Sequence, residues 1–355
     1  MEFILIFVLP FAGMLAILVV IHELGHFITA KLFGIQVDEF GIGFPPRLMG
    51  FRRGETLYSI NLLPLGGFVR LAGENDDTGP RTFSAKGTGT RFLVLVAGPF
   101  MNVVLPIVIF AVFFMVPQDV AVGSVSVTEV VPDSPAARAG IEPGDIIERA
   151  NGRKIENIHD LTEVIMLNLG SEMTWQVGYG LGEDTIHVVP RWNWPEGQGP
   201  TGIGITLTNA SVVSRSEPPW RAVPHAFGRV RDILTLMKNE VTRLVAVGGT
   251  PQVTGPIGIA QVTGEVAREG GLASVVVLAA VLSLSLAILN ILPIPALDGG
   301  RILFVVIEWA RRGKRISAKR EGLVHMIGFA TLMSLVVVIS YFDILRLLQG
   351  ESLLR

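Results

Sequence analysis

Four apolar stretches, residues 3–30, 92–116, 272–294 and 324–345, constrain this chain more than anything else in it. Each has at least the roughly 20 residues that a helix needs to cross a hydrocarbon core about 30 Å thick. Half of the 355 residues are hydrophobic and only 17% are charged, too apolar a balance for an ordinary soluble protein. The expected fold class is a polytopic α-helical membrane protein with about four transmembrane helices. A formal charge of −2 and the lack of a long basic run give no electrostatic reason for a nucleic-acid partner.

The first stretch lacks the basic start of a signal peptide and runs into His22, Glu23 and His26 instead of a small-residue cleavage site, so it is expected to be retained. Basic residues from Lys31 to Arg91 follow it, and a second basic group from Arg311 to Arg320 separates the third and fourth stretches. Under the positive-inside rule both segments are cytoplasmic, which puts the amino terminus, the region 117–271 and the carboxyl terminus on the other face. The expected organisation is a first membrane part at 1–117, an extracytoplasmic domain at 118–210, an amphipathic helix and connecting segment at 211–271, and a second membrane part at 272–355.

Between residues 120 and 209 the pattern changes to short β-rich runs, at 123–131, 173–178, 185–190 and 202–207, around one helical stretch at 158–169. This predicts a compact α+β domain. In the row SPAARAGIEPGDIIERANGRKI, Pro135 opens a short helix, Gly140 ends it, and Pro143-Gly144-Asp145 turns the chain into a strand. The segment resembles a bacterial PDZ domain, a module that takes an extended peptide as an added strand and captures its carboxylate. Gly202, Ile203, Gly204 and Ile205 resemble its glycine-rich carboxylate loop, although glycine alternating with apolar residues also suits an edge strand. Beyond it, Val223, Phe227, Val230, Leu234, Met237, Val241 and Leu244 recur at helical spacing, which predicts a helix packed on the domain or lying at the membrane surface.

The string His22-Glu23-Leu24-Gly25-His26 carries the chemistry. On a helix the two histidines stand one turn apart on the same face, so both imidazoles can ligate one ion. Glu23 is displaced around the helix, where it can act as a base toward a metal-bound water. Three ionisable side chains at the end of a membrane span are costly, so packing alone is a poor reason for them. With no cysteine in the chain, a metal site here must be built from histidine and carboxylate.

Catalytic zinc takes a third protein ligand and keeps a fourth position open. The candidate is Asp298, in Asn290-Ile291-Leu292-Pro293-Ile294-Pro295-Ala296-Leu297-Asp298-Gly299-Gly300, where the two prolines break the helix. Span direction supports this choice, because the first and third spans both bring their polar residues to the cytoplasmic side. Without the histidine pair, Asp-Gly-Gly would read as a turn or helix cap.

HELGH in the first span, LDGG after NILPIP in a later one and a PDZ-like domain between the second and third spans together resemble the site-2 proteases, in particular bacterial regulators of the RseP type. Gly41-Ile42-Gly43-Phe44, Gly66-Gly67-Phe68-Val69-Arg70 and Gly98-Pro99-Phe100-Met101-Asn102 match further motifs of that family, and the resemblance covers nearly the whole chain. It differs from some relatives in carrying one PDZ-like domain rather than two in tandem. The resemblance implies an intramembrane zinc endopeptidase of the bacterial inner membrane, with one Zn²⁺ held by His22, His26 and Asp298 and with Glu23 as general base and then acid. It further implies that Asn290 holds substrate backbone, and that a hairpin around Gly67, Phe68, Val69 and Arg70 presents an extended substrate strand. Substrates would be single-span membrane proteins, either an anti-sigma factor or a signal-peptide remnant, cut near the cytoplasmic side. A peptide C-terminus would occupy the PDZ-like domain. By itself Asn290 also suits an interhelical hydrogen bond, and Asn102 reads as structural. The alternatives are a non-catalytic membrane PDZ scaffold with a structural metal site, and a metal transporter lined by ligands within its spans.

Overall fold

The computed structural model describes residues 9–73, 79–179, 182–248 and 254–349. Residues 3–8 of the first apolar stretch therefore lie outside the described residues. The chain forms two compact units, Met1–Phe110 together with Val253–Arg355, and Ala111–Gln252.

The first unit begins with helix α1 (Leu9–Leu32), strands β1 (Val37–Arg53) and β2 (Thr56–Leu71), and helix α2 (Thr88–Met115), whose last turn belongs to the second unit. The long strands bend back on themselves. Residues 39–42 pair with residues 57–60 on one side and with residues 67–70 on the other, while residues 50–53 pair with residues 56–59. Residues 67–71 are thus an edge of this small sheet. Phe27 of α1 sets the sheet against the helix, with its ring centroid 5.4 Å from Phe40 and 6.1 Å from Tyr58. Beneath them Ala30, Ile35, Val37, Leu71 and Val94 form a buried core.

The second unit is a six-stranded antiparallel sheet with helices. Its elements are β3 (Gln118–Val130), α3 (Pro135–Arg138), β4 (Ile146–Ala150), β5 (Arg153–Lys154), α4 (Ile158–Leu167), β6 (Met173–Tyr179), β7 (Gly182–Val188), β8 (Ile203–Arg215) and α5 (Pro219–Val247). Strand order is β7-β6-β4-β3-β8, with β5 paired to β4, so β8 is an edge strand. Asn157 and Ser134 cap α4 and α3 by accepting a backbone N–H three residues on. The alternating faces of the strands and α4 bury Val125, Ile147, Leu161, Met173, Trp175 and Val177.

Helix α5 packs on α4 and leaves most of the apolar stripe exposed, as the membrane-surface alternative expects. Of that stripe Val230 is fully buried, while Val223, Phe227, Leu234 and Val241 are exposed. The buried side is Ala222, Ala226, Val230 and Ile233 with the polar Asp232 and Asn239. Small residues allow close approach, and Asn239 donates to the carbonyls of Met166 and Leu167, the orphan acceptors at the end of α4.

The chain returns to the first unit with α6 (Pro256–Ile291), which is two helices meeting at Gly271 (φ 63°), then α7 (Asp298–Ala310) and α8 (Ala318–Leu348). Four helical segments among the described residues are long and apolar enough to cross a membrane: Leu9–Leu32, Thr88–Met115, Ala273–Ile291 and Lys319–Leu348. They match the four apolar stretches. Much of their surface is exposed aliphatic and aromatic side chain, including Ile17, Val108, Ile288, Phe329 and Val338. Such surface is costly in water and free of cost against lipid tails. One charged group in these helices is held by backbone amides. Asp343, near the end of α8, is buried and accepts from the backbone N–H of Gly255 (3.0 Å) and of Gly258 (2.9 Å), which caps the start of α6.

Candidate metal centre

His22 and His26 lie one turn apart on α1, and both are buried. Asp298 arrives from a helix break 276 residues away in sequence. Helix α6 stops at Ile291, Leu292 is extended, and the Pro293 to Leu297 turn contains Ala296 in the left-handed region (φ 78°) before α7 starts at Asp298. The Ala296 N–H donates to His325 Nδ1 of α8 at 2.9 Å, which fixes the turn from the far side. A left-handed conformation at a residue with a Cβ is costly, so this turn is held by its surroundings.

Three donor atoms converge. His22 Nε2 is 2.9 Å from Asp298 Oδ2, His26 Nε2 is 3.3 Å from the same oxygen, and the two Nε2 atoms are 3.2 Å apart. Zinc bonds of 2.0–2.1 Å at tetrahedral angles place their ligand atoms roughly 3.3 Å apart. The triangle therefore fits zinc with a small adjustment, and two nitrogens and one carboxylate oxygen are a hydrolytic donor set with a fourth position left over.

The outer contacts suit ligation through Nε2. His26 Nδ1 donates to the carbonyl of Val94 at 2.7 Å, which leaves the Nε2 lone pair pointing inward. Asn102 Nδ2 lies 3.3 Å from His22 Nδ1, and its Oδ1 is buried with no partner among the described residues, so turning the carboxamide over by 180° brings that oxygen to the ring. A His22 ring that gives Nε2 to a metal keeps its proton on Nδ1, and that N–H is the donor the carboxamide oxygen lacks. Ser283 of α6 donates to the Asn102 backbone carbonyl at 2.9 Å. Asn102, read from the sequence as structural, is thus in contact with a histidine of the cluster. The sequence signal was its register: Val94, Gly98 and Asn102 follow one another at intervals of four along one face of α2.

Glu23 has His26, His22 and Asp298 as electrostatic neighbours and reaches the backbone of Val69. A Cβ built on Gly67 would sit 3.4 Å from Glu23 Cγ, so the edge of the small sheet runs beside this carboxylate. Val69 is on that edge, Phe68 carries the Arg70 guanidinium 5.6 Å above its ring, and Arg70 pairs with the buried Glu39 at 3.3 Å. Asn290 is half-buried one residue before α6 ends, and its side chain has no hydrogen bond among the described residues. In the other unit, Gly202 is left-handed (φ 76°) and offers its carbonyl to the Val131 N–H, while Ile203, Gly204 and Ile205 pair with Val130, Glu129 and Val127. Those three are strand residues of the β8 edge.

The spans and the cluster belong to a membrane-embedded zinc metalloprotease. The chain is a member of peptidase family M50, the site-2 proteases, whose model matches residues 10–335. A chain of Clostridium perfringens is 36% identical across 92% of this chain and 95% of its own length. The "Zinc metalloprotease RasP" of Oceanobacillus iheyensis is 31% identical, covering 96% of this chain and 99% of its own. The "Regulator of sigma-W protease RasP" of Bacillus subtilis is 29% identical, covering 96% and 98%. The two rival readings, a scaffold and a transporter, fall away with the family.

Proposed function

We propose that this protease cuts single-span membrane proteins near the cytoplasmic end of their helix, with zinc held by His22, His26 and Asp298 and with Glu23 as general base and then general acid. The observation that carries the proposal is the triangle of 2.9, 3.2 and 3.3 Å between three donor atoms, with Glu23 beside it and a sheet edge beside Glu23. When bound, zinc supplies Lewis-acid polarisation of the scissile carbonyl and acidifies the water beside it. Glu23 takes the proton of that water as the new C–O bond forms, and delivers it to the amide nitrogen as the C–N bond breaks, a role worth about 10²- to 10⁴-fold.

A helical substrate has its carbonyls committed to amides four residues on, so it must unwind to be cut. Residues 67–70 offer an edge to which an unwound segment adds as a strand, and the free Asn290 carboxamide is available for a released backbone group. The substrate class proposed is a protein already trimmed on the extracytoplasmic side, either an anti-sigma factor or a signal-peptide remnant. The sheet unit is proposed to be PDZ-like, acting as a size filter or taking the new peptide C-terminus along the β8 edge at Gly202, Ile203, Gly204 and Ile205. The basic segments at 31–91 and 311–320 support a bacterial cytoplasmic-membrane location with that unit outside.

The test is to express wild type, Glu23→Gln and Asp298→Asn with a tagged single-span substrate and to follow the cytoplasmic fragment and the zinc content. Wild type releases the fragment, Glu23→Gln keeps zinc but not cleavage, and Asp298→Asn loses both. Equal release from all three overturns the proposal.

A further inference from the structure

Helix α7 starts at Asp298 in the metal cluster and ends beside the start of a membrane span, which fixes its depth at both ends. At the first end, Asp298 Oδ2 faces His22 and His26, and a Cβ on Gly98 of α2 would touch the same two rings, so the cluster is level with Gly98. At the other end, Glu308 accepts from Arg91 of α2 at 2.6 Å. Arg91 lies seven residues before Gly98, which is about 10 Å nearer the start of that span. The ten residues from Asp298 to Glu308 cover about 15 Å, so α7 slopes from the depth of the cluster out to the level of Arg91.

One side of this slope packs on the protein. Gly300, Val305 and Glu308 are buried, and the Phe304 ring lies 5.6 Å from that of His325 of α8. On the opposite side Leu303, Val306 and Trp309 stand at intervals of three, all exposed, and Trp309 is 74% exposed. Ile302 and Ala310 fall on the same side, so from residue 302 to residue 310 that face is wholly apolar. The helix joins two candidate spans, Ala273–Ile291 before it and Lys319–Leu348 after it, and the exposed Arg311 and Arg312 follow its last turn. An apolar face at the depth of the spans, closed by an exposed tryptophan and then by cations, is the pattern of a helix lying in the bilayer interface.

We propose that acyl chains of the cytoplasmic leaflet cover Leu303 and Val306, that the Trp309 indole sits at the headgroup boundary, and that this anchor sets the depth of Asp298. Trp309 is thereby a positioning residue. Its consequence rests on the cleavage proposed above: a change of about 3 Å in depth moves a spanning helix past the metal by two residues, so Trp309 helps to choose the bond that is cut.

The chain has no cysteine, so single nitroxides can be placed by Leu303→Cys, Val306→Cys, Ala310→Cys and Arg312→Cys in the full-length protein in phosphatidylcholine/phosphatidylglycerol nanodiscs. Power saturation with oxygen and with a nickel chelate reads the depth of each label. The expected result is a ladder with Leu303 deepest, Val306 and Ala310 shallower by steps of about 3–4 Å, and Arg312 in water. Trp309→Ala is expected to move the Leu303 label by at least one step, and Trp309→Tyr, still an interfacial aromatic, to leave it in place. With a tagged spanning substrate, mass spectrometry of the fragment then finds the cut displaced by about two residues in Trp309→Ala and unmoved in Trp309→Tyr. Nickel access at Leu303 and Val306 equal to that at Arg312 overturns the lipid contact. Shielding from both reagents, or dipolar broadening between labels of two chains, puts protein on this face and overturns it as well. A Leu303 label unmoved by Trp309→Ala overturns the anchor, and a moved label with an unmoved cut overturns the link to bond choice. The ladder is read without substrate, so it stands or falls apart from the cleavage reading, which fails if wild type releases no fragment.

Discussion

Substituting Gly98 by alanine tests the metal centre without touching a ligand. A Cβ at Gly98 would lie 2.3 Å from His26 Nε2 and 2.7 Å from His22 Nε2, where ordinary contact begins near 3.4 Å. About 1 Å of displacement is therefore forced on one side or the other. Helix α2 cannot easily supply it, because backing away stretches the 2.7 Å bond from His26 to Val94 and separates Asn102 from His22. Helix α1 is equally confined, since Gly25 already faces the Ala97 carbonyl with no room for a methyl group. The rings then have to move, and zinc tolerates ligand distances only within about 0.2 Å. A misplacement of about 1 Å costs roughly 10²-fold in rate, so Gly98→Ala is expected to lose at least that much in kcat/KM and to carry less than one zinc per chain. The control is Gly89→Ala on the same helix, where a Cβ meets nothing within 4 Å and helix propensity improves by up to about 1 kcal/mol. Cleavage of a tagged membrane substrate, with zinc measured by elemental analysis, gives the answer. A Gly98→Ala enzyme with full zinc and wild-type turnover would refute the reasoning.

Asn102→Ala is expected to lower zinc affinity about 10- to 100-fold, read by competition with a chelator, because His22 loses the group that orients its ring. Asp343→Ala leaves the Gly255 and Gly258 N–H groups unpaired and is expected to destabilise the protein by about 0.5–2 kcal/mol, seen as a lower thermal midpoint in detergent. Burial works against the charge on Glu163, but hydrogen bonds from His159 and Arg229 outweigh it and hold the carboxyl at about 2. This lowered value means the pairs of Glu163 with His159 within α4 and with Arg229 of α5 contribute fully above the ordinary glutamate range and are lost as pH falls toward 2. The contribution is on the order of 2 kcal/mol. The thermal midpoint of wild type should then fall more between pH 5 and pH 2.5, about the span of that titration, than that of Glu163→Gln, and parallel curves would contradict the assignment.

What could be read from the sequence was whatever is local in it. Spans are legible because lipid demands about 20 apolar residues in a row, and His22 and His26 because four residues of helix place them on one face. That Asp298 lies beside them could be expected by another route, since the helix-breaking Pro293-Ile294-Pro295 and the direction of the spans pointed to a carboxylate on the same side of the bilayer. Gly25, Gly98 and Asn102 fell inside quoted motifs, but what each does in the site was not legible beyond the four-residue register of Gly98 and Asn102 on α2. Contact between two apolar helices leaves no signature in either one, and a glycine shows its purpose only when the facing atoms are known. The face that α5 turns to α4 has the same origin, because it is marked by Asn239 bonded to Met166 and Leu167 and by Arg229 paired with Glu163, partners far away in sequence. Ala296 gave no sign of its left-handed backbone, which is imposed by the His325 hydrogen bond across space.

The polar groups of the membrane helices separate by how firmly each is held, and the separation bears on catalysis. Polar groups within apolar spans are expensive, so those that build structure or hold a ligand in one orientation should have fixed partners. Asp343 has two backbone amides, Arg91 has Glu308, His26 has Val94, and His22 has Asn102. Glu23 touches the backbone of Val69, on a strand whose outer edge has no pairing among the described residues, and the Asn290 side chain bonds to none of them either. Under the proposed mechanism these are the two groups that must exchange partners during turnover, one passing a proton and the other accepting or releasing backbone. A side chain locked into a hydrogen-bond network could do neither without breaking it, so loose tethering at these two positions, and firm tethering at the others, is the arrangement hydrolysis requires.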